Sequence, residues 1–320
     1  MKELRVLIVC FVLLCVVAAL FVLGARRGWL APDDAALRAR YALPASRFID
    51  IDGQSIHVVD EGQGPVILLV HGSFGSLRMW DEWVAALRGR YRIIRFDRPP
   101  MGLSGASPRG DYGAEREMRL IAAVADQAGV ARFVLVGTSS AGVSTAGFAA
   151  AHPERVQALI LSNVAAGRFA PDTSHLSPWF RFVLRVDRQL GGHHLQEFWR
   201  QVLRVNFHDP ARVTDAMVAE WTDLNNRAQR MPPAPGGESP LAALDRTPRD
   251  LPRITAPTLV LWSANDHELP LETVGRRVFA LLGTADKSLA VVERCGHIQP
   301  LECGARSVSL AQPFLARVAP

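Results

Sequence analysis

The sequence lacks the motifs that mark several common classes of protein. It contains neither GxGxxG nor GxxxxGK, so it has no signature of a nucleotide- or phosphate-binding loop. None of its four cysteines belongs to a CxxC pair or to a spacing typical of metal ligands. No internal repeat is present, which argues against a solenoid or a propeller.

Positive charge is in slight excess but is nowhere concentrated. The 36 lysines and arginines outnumber the 31 acidic residues, which gives a formal net charge of +5. No run of five or more basic residues occurs, so we interpret the excess as aiding solubility and predict no nucleic-acid partner. Arg26 and Arg27 directly follow an apolar segment, where basic residues can attract an anionic membrane surface.

That apolar segment, Val6 to Leu23, has 18 residues and no charge. At about 1.5 Å of rise per residue, a helix of this length nearly spans a hydrocarbon core of about 30 Å. We predict a single-pass membrane anchor that contacts the lipid bilayer through residues 6–23. A cleaved signal peptide is the alternative, but its apolar region usually has only about 7–15 residues. Basic residues flank both ends, so the side of the membrane stays open.

The cysteines carry little information. Cys10 and Cys15 lie in the apolar segment, whereas Cys295 and Cys303 are eight positions apart near the C-terminus. A Cys295–Cys303 disulfide would indicate an oxidising compartment. We favour two small buried thiols as the interpretation of this pair.

The chain divides by composition into five parts. Residues 1–28 are the predicted anchor, and 29–46 are a polar linker, or a short helix off the membrane, with two prolines. Residues 47–165 are the first part of a core domain, 166–250 an inserted helical cap rich in aromatic residues, and 251–320 the second part of the core. The core begins with two short alternating stretches around Asp52-Gly53, a dipeptide typical of a β-hairpin turn.

Strand and helix patterns alternate through the core. The continuous apolar run at 65–70 is typical of a strand buried on both faces. Such alternation predicts an α/β fold with a mostly parallel central sheet and helices on both faces. The further predicted strands are 91–96, 132–136, 156–161, 258–262 and 288–292, and the predicted helices are 76–88, 113–129, 139–152, 271–282 and one from about 300.

A candidate nucleophile lies between the predicted strand at 132–136 and the helix that follows. The sequence there is Gly137-Thr138-Ser139-Ser140-Ala141-Gly142. A sharp strand-to-helix turn exposes a serine side chain and requires small residues two positions away on either side, as Gly137 and Ala141 are. A serine that only caps the helix is the structural alternative. Ser140 is a poorer nucleophile candidate because Thr138 would crowd its turn.

A serine nucleophile needs a base and an orienting acid, and both follow in the order Ser, Asp, His. Asp266 comes after the apolar run that ends at Trp262, and His297 comes after the predicted strand at 288–292. Three such residues at three strand ends predict the catalytic triad Ser139, Asp266 and His297. The other histidines have no comparable position, and we interpret them as structural or surface residues.

These motifs resemble the α/β-hydrolase superfamily over residues 47 to 318. The usual turn is Gly-x-Ser-x-Gly, and this chain departs from it with Ala141. The resemblance implies an oxyanion hole formed by the backbone amides of Ser140 and Ser73, with Phe74 as the second candidate for the latter. It implies a structural role for His71 in the His-Gly loop.

The stretch at 96–105 resembles the superfamily's Asp-x-Pro-Gly-x-Gly-x-Ser turn, with Pro100 where glycine is usual. We interpret Asp97 and Arg98 as structural residues of this turn.

We predict that the protein is a serine hydrolase that cleaves a small, apolar carboxylic ester through an acyl-enzyme, with no metal ion and no organic cofactor. The same triad supports lactonases, C–C bond hydrolases and cofactor-free haloperoxidases, because fold does not fix function. A non-catalytic, membrane-tethered binding protein is the alternative from another class.

Overall fold

The computed structural model describes residues 2–169, 173–174 and 176–320, so positions 170–172 and 175 of the predicted cap lie outside it. Eight strands of the described chain form one sheet. The strands are β1 Ser46–Ile51, β2 Gln54–Glu61, β3 Val66–Val70, β4 Arg92–Phe96, β5 Phe133–Thr138, β6 Val156–Ser162, β7 Thr258–Ser263 and β8 Lys287–Val292.

Helices precede the sheet, cover it and form the segment between β6 and β7. The α-helices are α1 Lys2–Arg26, α2 Asp34–Tyr41, α3 Asp81–Leu87, α4 Ala114–Gln127, α5 Ala141–Ala151, α6 Pro178–Asp187, α7 Gln196–Asn206, α8 Asp215–Ala228, α9 Pro240–Ala243, α10 Thr247–Asp250, α11 Arg276–Leu281, α12 Gln299–Glu302 and α13 Gly304–Val318. Short 3-10 turns lie at Leu77–Trp80, Arg188–Leu190, Pro210–Arg212, Leu244–Arg246 and Leu251–Arg253, and a π-turn lies at Leu271–Gly275.

The strand order is β1-β2-β4-β3-β5-β6-β7-β8. All neighbours from β4 to β8 are parallel, and only the pairs β1–β2 and β2–β4 are antiparallel. The predicted hairpin is present, with positive φ at both Asp52 and Gly53, as a two-residue turn between right-twisted strands requires. The predicted α/β fold with a mostly parallel sheet is confirmed.

Both faces of the central strands are buried. In β5, Phe133 and Leu135 pack with α4 and α5 on one face, whereas Val134 and Val136 pack with α3 and α13 on the other. Successive side chains of a strand point to opposite faces. This two-sided burial explains why the strands appear in the sequence as continuous apolar runs.

Several predicted helices begin or break at positions that the sequence pattern does not mark. The helix predicted at 139–152 begins at Ala141, because Ser139 has a left-handed backbone with φ of 52°. The helix predicted at 76–88 starts as a 3-10 turn, and the last helix is broken at Cys303 into α12 and α13.

Helix α1 contains the predicted membrane anchor. Among the described residues it is the one helix whose length and apolar composition suffice to cross a bilayer, a test that a signal sequence also passes. Its long apolar stretch is exposed, and burial begins only at Gly24 and Ala25. The end of α1 contacts the chain beyond β6: Arg26 Nε donates to the carbonyl of Gln189 at 2.8 Å.

The segment predicted as a linker, 29–46, contains helix α2. Asp33 caps its N-terminus by accepting from the amides of Ala35 and Ala36. Leu37 and Tyr41 are buried, in contact with residues of α8 and of the loop after β4. The segment therefore packs on the domain, and its polar composition did not indicate this.

The interpretation of Cys295 and Cys303 as free thiols is wrong, because the structure contains a disulfide between them. Helix α12 turns the chain back over the loop after β8 and brings the two Cα atoms to 6.1 Å. A disulfide requires such a separation, and a spacing of eight residues does not reveal it. The bridge closes the loop that carries His297.

Arg227 of α8 joins the segment between β6 and β7 to α2, which precedes the sheet, and to the loop after β4. Its guanidinium, 1% exposed, donates to the carbonyls of Gly102 and Ser104 and pairs with Asp34 of α2. We expect Arg227→Met to lower the free energy of unfolding by about 2 kcal/mol, because two buried carbonyls lose their donor. Denaturant unfolding of the full chain in detergent, followed by tryptophan fluorescence, measures this.

Arg230→Met is the matched control. Arg230 pairs with the same Asp34 but is 39% exposed, so its removal should cost less than about 0.5 kcal/mol. An equal loss in both variants would contradict the assignment of the buried contacts as the stabilising ones.

Candidate active site

Ser139 occupies a sharp turn between β5 and α5. Its φ of 52° is in the left-handed region, and its amide donates to the carbonyl of Ser162 at 3.0 Å. A Cβ at Gly137 would lie 2.4 Å from Thr145 Oγ1, so only glycine fits there. A side chain that is not glycine rarely adopts this backbone conformation, and such residues cluster at functional sites.

The departure at Ala141 has a simple explanation. Ala141 is fully buried, and its methyl group is accommodated. The tight approach comes one position later, where a Cβ at Gly142 would lie 2.4 Å from Cβ of Val164. The helix therefore needs glycine at 142, whereas position 141 accepts a methyl group.

The structure brings the three predicted triad residues together. His297 Nε2 lies 2.9 Å from Ser139 Oγ, and His297 Nδ1 lies 2.7 Å from Asp266 Oδ2. The side chain of Asp266 is fully buried, and Asp266 Oδ1 accepts from the amides of Glu268 and Leu269. This is a continuous chain of hydrogen bonds from a fixed carboxylate to a partly exposed hydroxyl. The catalytic roles of these residues stay predictions.

Asn163, which the sequence analysis missed, holds two of the site's loops together. Directly after β6, its Nδ2 donates to Ser263 Oγ at 2.9 Å and to the carbonyl of His297 at 3.1 Å. Its Oδ1 accepts from the amide of Ser263 at 2.9 Å. Nothing in the sequence marks this residue, because its partners lie 100 or more positions away.

The loop after β3 approaches the serine closely. A Cβ at Gly72 would lie 2.9 Å from Ser139 Cβ, so glycine is needed there. Among the hydrogen bonds of the described chain, none uses the amide of Ser73 or Ser140, the two predicted oxyanion donors. The amide of Phe74, the second candidate, instead points to Met101 Sδ at 3.0 Å. This geometry favours Ser73 over Phe74.

The predicted structural residues hold that loop. His71 Nε2 accepts from the amide of Arg98 at 2.8 Å, and Arg98 Nη1 donates to the carbonyl of His71 at 2.7 Å. Burial lowers the pKa of His71 to about 4, so its ring is neutral and can accept. Asp97 accepts from the amides of Leu77 and Leu103 and contacts His57, and the structural interpretation of this turn agrees with the contacts.

An apolar cavity of about 230 Å³ opens on Ser139 and His297. Among the described residues that line it, the titratable side chains are those of His297 and Glu268. Glu268 Oε2 lies 3.7 Å from His297 Nε2, the ring nitrogen that faces the serine. Glu268 belongs to no motif of the sequence, although its position two residues after Asp266 is a usable signal. Apolar side chains that line the cavity include Phe74, Phe169, Val202, Trp221, Leu244 and Leu269.

Two carboxylates act on the titration of His297. Burial by itself lowers the pKa of the imidazole, but the negative charges of Asp266 and Glu268 outweigh it and raise the pKa to about 9. In the free protein His297 is therefore protonated at neutral pH, and it becomes a base as the pH rises.

This fold and this arrangement are those of the α/β hydrolases. The family model for the alpha/beta hydrolase fold matches residues 65–302, which is most of the chain. The chain belongs to this family, and the protein is a hydrolase.

Curated relatives in the family include C–C bond hydrolases. The chain is 26% identical to 2-hydroxy-6-oxo-6-phenylhexa-2,4-dienoate hydrolase of Comamonas testosteroni over 83% of this chain and 93% of that protein. It is 27% identical to 2-hydroxy-6-oxononadienedioate/2-hydroxy-6-oxononatrienedioate hydrolase of Escherichia coli K12 over 85% of this chain and 96% of that protein.

Among solved structures, a bacterial membrane phospholipase A is similar along its whole length. It is 25% identical to this chain, covers 99% of both chains and superposes with a TM-score of 0.68. The match therefore includes the region of helix α1.

The raised pKa of His297 predicts the pH dependence of hydrolysis. We expect kcat/KM of the full-length enzyme to rise with pH and to reach half its maximum near pH 9, because only the neutral imidazole accepts a proton. The groups that face the ring are Asp266, Glu268 and Ser139. Initial rates with p-nitrophenyl butyrate between pH 6 and 10.5, corrected with Ser139→Ala, measure the profile. A midpoint near pH 6.5 would contradict it.

Proposed function

We propose that the protein is a membrane-anchored serine hydrolase that cleaves carboxylic esters with an apolar acyl group. Ser139 is the nucleophile, His297 the general base and Asp266 the residue that orients it, while the amides of Ser73 and Ser140 stabilise the oxyanion. The observation that carries this proposal is the hydrogen-bond chain from Asp266 through His297 to Ser139, which ends at the mouth of an apolar cavity.

The reaction proceeds in two steps. His297 Nε2 accepts the proton of Ser139 Oγ as the oxygen attacks the ester carbonyl, and the resulting oxyanion accepts hydrogen bonds from the two amides. Protonated His297 then donates its proton to the leaving alcohol, and an acyl-enzyme remains. A water molecule, deprotonated by the same ring, attacks the acyl group and releases the acid. Asp266 keeps the proton on Nδ1, so Nε2 stays free to act as the base.

The cap supports a substrate with an apolar chain at a membrane surface. Trp179 and Phe182 are about half exposed, and with Val186 and Leu195 they line one shallow groove on the cap. Along the chain, the turn at Arg188–Leu190 lies between Val186 and Leu195, and it contacts the predicted anchor α1. Exposed apolar surface of this kind marks interaction with membranes or other apolar partners.

The likeness to a membrane phospholipase A supports the same proposal, because that match extends over the region of α1. The dienoate hydrolases favour a second candidate, cleavage of a C–C bond on the same triad. A dienoate is an anion, however, and the described residues that line the cavity include the carboxylate of Glu268 but no lysine or arginine. The charge of the cavity therefore favours the ester.

The triad is tested by the reaction of Ser139 with a fluorophosphonate probe. We expect the detergent-solubilised full chain to be labelled. Ser139→Ala should lose labelling, and its rate of p-nitrophenyl butyrate hydrolysis should fall by at least about 10³-fold. Ser309→Ala should match the wild type in both measurements. Ser309 is an exposed serine of α13 and serves as the control.

A substrate panel separates the candidate reactions. p-Nitrophenyl esters of 2 to 12 carbons, a phosphatidylcholine, a lactone and a 2-hydroxy-6-oxo-dienoate are compared by kcat/KM. Turnover of the dienoate with no turnover of any ester would replace ester hydrolysis by C–C bond cleavage. A folded wild type that is not labelled at all would contradict the proposed serine-hydrolase activity and favour a binding protein.

We further propose that the hydrolase domain lies on the oxidising side of the membrane. The disulfide between Cys295 and Cys303 supports this location, because disulfides persist in oxidising compartments. Lys2 and Arg5 would then be on the cytoplasmic side of the anchor, and Arg26 and Arg27 on the oxidising side.

The disulfide and the topology are tested together in freshly isolated membranes. In a Cys10→Ser/Cys15→Ser chain, we expect a maleimide-polyethylene glycol reagent to add no mass before reduction and two adducts after it. A C-terminal alkaline phosphatase fusion should be active. Immediate labelling without a reductant, or an inactive fusion, would contradict the proposed side of the membrane.

A further inference from the structure

Glu268 introduces a negative charge at the reacting end of an otherwise apolar cavity. The loop after β7 folds over Asp266, whose Oδ1 accepts from the amide of Glu268, so the Glu268 side chain begins at a fixed point. Its carboxylate reaches to 3.7 Å from His297 Nε2 and is one third exposed, on the side of the cavity. The ring nitrogen that serves Ser139 therefore faces two groups, a hydroxyl and a carboxylate.

Among the described residues, the one ion pair of Glu268 is with His297, and it is an ion pair only while the imidazole is protonated. No lysine or arginine is among the described residues that line the cavity. Arg98, whose Nη1 lies 3.0 Å from Ser140 Oγ, is buried and already paired with Glu117. When His297 has lost its proton, the cavity holds one uncompensated negative charge.

We propose that Glu268 is a specificity-determining residue that selects against substrates with a negative charge near the scissile carbonyl and favours neutral or cationic acyl groups. This inference rests on the proposed ester hydrolysis and names its substrate class. An anionic acyl group placed in the cavity would bring a second negative charge close to the first, and like charges at short range repel each other. The same repulsion assists departure of the carboxylate product.

The test compares three acyl groups of similar length that differ in charge. The substrates are p-nitrophenyl butyrate, the mono-p-nitrophenyl ester of succinic acid and p-nitrophenyl 4-(trimethylammonio)butyrate. We expect the wild-type kcat/KM to be at least about tenfold higher for the neutral than for the anionic ester. In Glu268→Gln this ratio should fall about tenfold, and the preference for the cationic over the anionic ester should fall at least as much.

The ratio isolates the charge effect from other consequences of the substitution. Glu268→Gln also changes the titration of His297, but this alters the rates of all three esters alike at one pH, so it cancels in the ratio. Glu268→Asp keeps the charge and should keep most of the selectivity. Glu272→Gln is the matched control, because Glu272 is exposed and paired with Arg276 on the surface. Its ratio should equal that of the wild type.

A second measurement needs no turnover. The rate at which a neutral alkyl fluorophosphonate labels Ser139 is compared with the rate of an analogue that ends in a carboxylate. The neutral probe should react faster in the wild type, and the difference should shrink in Glu268→Gln. Equal selectivity in wild type and Glu268→Gln by both measurements would overturn the role of Glu268.

The two proposals fail in different ways. Ester hydrolysis fails when no ester is turned over while Ser139 is still labelled, and the labelling rates then still report the charge selectivity. The role of Glu268 fails when esters are turned over by both proteins with the same ratio of kcat/KM. Circular dichroism of each variant verifies that its fold is intact.

Discussion

Parallel pairing at the centre of the sheet determines where every loop of the candidate site begins. Strand β5 lies between β3 and β6, and Val136 is opposite Leu69 on one side and Ile160 on the other. The carboxyl ends of the three strands therefore stop at one level, where α/β sheets bind their ligands. A shift of one residue in this register would turn each buried side chain to the opposite face, so the core on both faces holds the register fixed. The close contact between Gly72 and Ser139 depends on that alignment.

Buried polar contacts between the loops at these strand ends fix the orientation of the His297 imidazole. The imidazole of His297 is held through Nδ1 by Asp266, and the backbone of His297 is held through its carbonyl by Asn163. Asp266 is itself fixed by two backbone amides, so its buried carboxylate has hydrogen-bond donors from the protein and does not need water as a donor. Removing any one partner would leave a buried polar group unpaired, which costs about 1–3 kcal/mol. Orientation of the base and stability of the strand ends are thus properties of the same contacts.

The parts of the fold and site that could be predicted from the sequence are those where a short motif determines the local backbone geometry. The strand-to-helix turn at Ser139, the hairpin turn at Asp52-Gly53 and the order of Ser139, Asp266 and His297 each depend on residues close in the chain or on strand ends. The disulfide, the role of Asn163 and the packing of α2 depend on contacts between distant segments, which no short pattern encodes. Ala141 illustrates both cases: the motif marked it as unusual, but only Val164, across the turn, explains why glycine is required at position 142 instead.

The charge of the cavity connects the site's electrostatics to the choice of reaction within this family. Relatives that share the fold and about a quarter of the sequence act on dienoates, so neither the fold nor the triad separates ester from C–C bond hydrolysis. A carboxylate beside His297 keeps more of the ring protonated at neutral pH, which by itself slows a reaction that begins with a neutral base. In the proposed mechanism it also stabilises the imidazolium that forms once Ser139 has attacked. An anionic substrate would meet the uncompensated charge of Glu268 while His297 is neutral, which is the state that binds substrate productively, whereas a neutral ester would not be repelled. The position of Glu268 therefore supports the proposed uncharged acyl group over a dienoate.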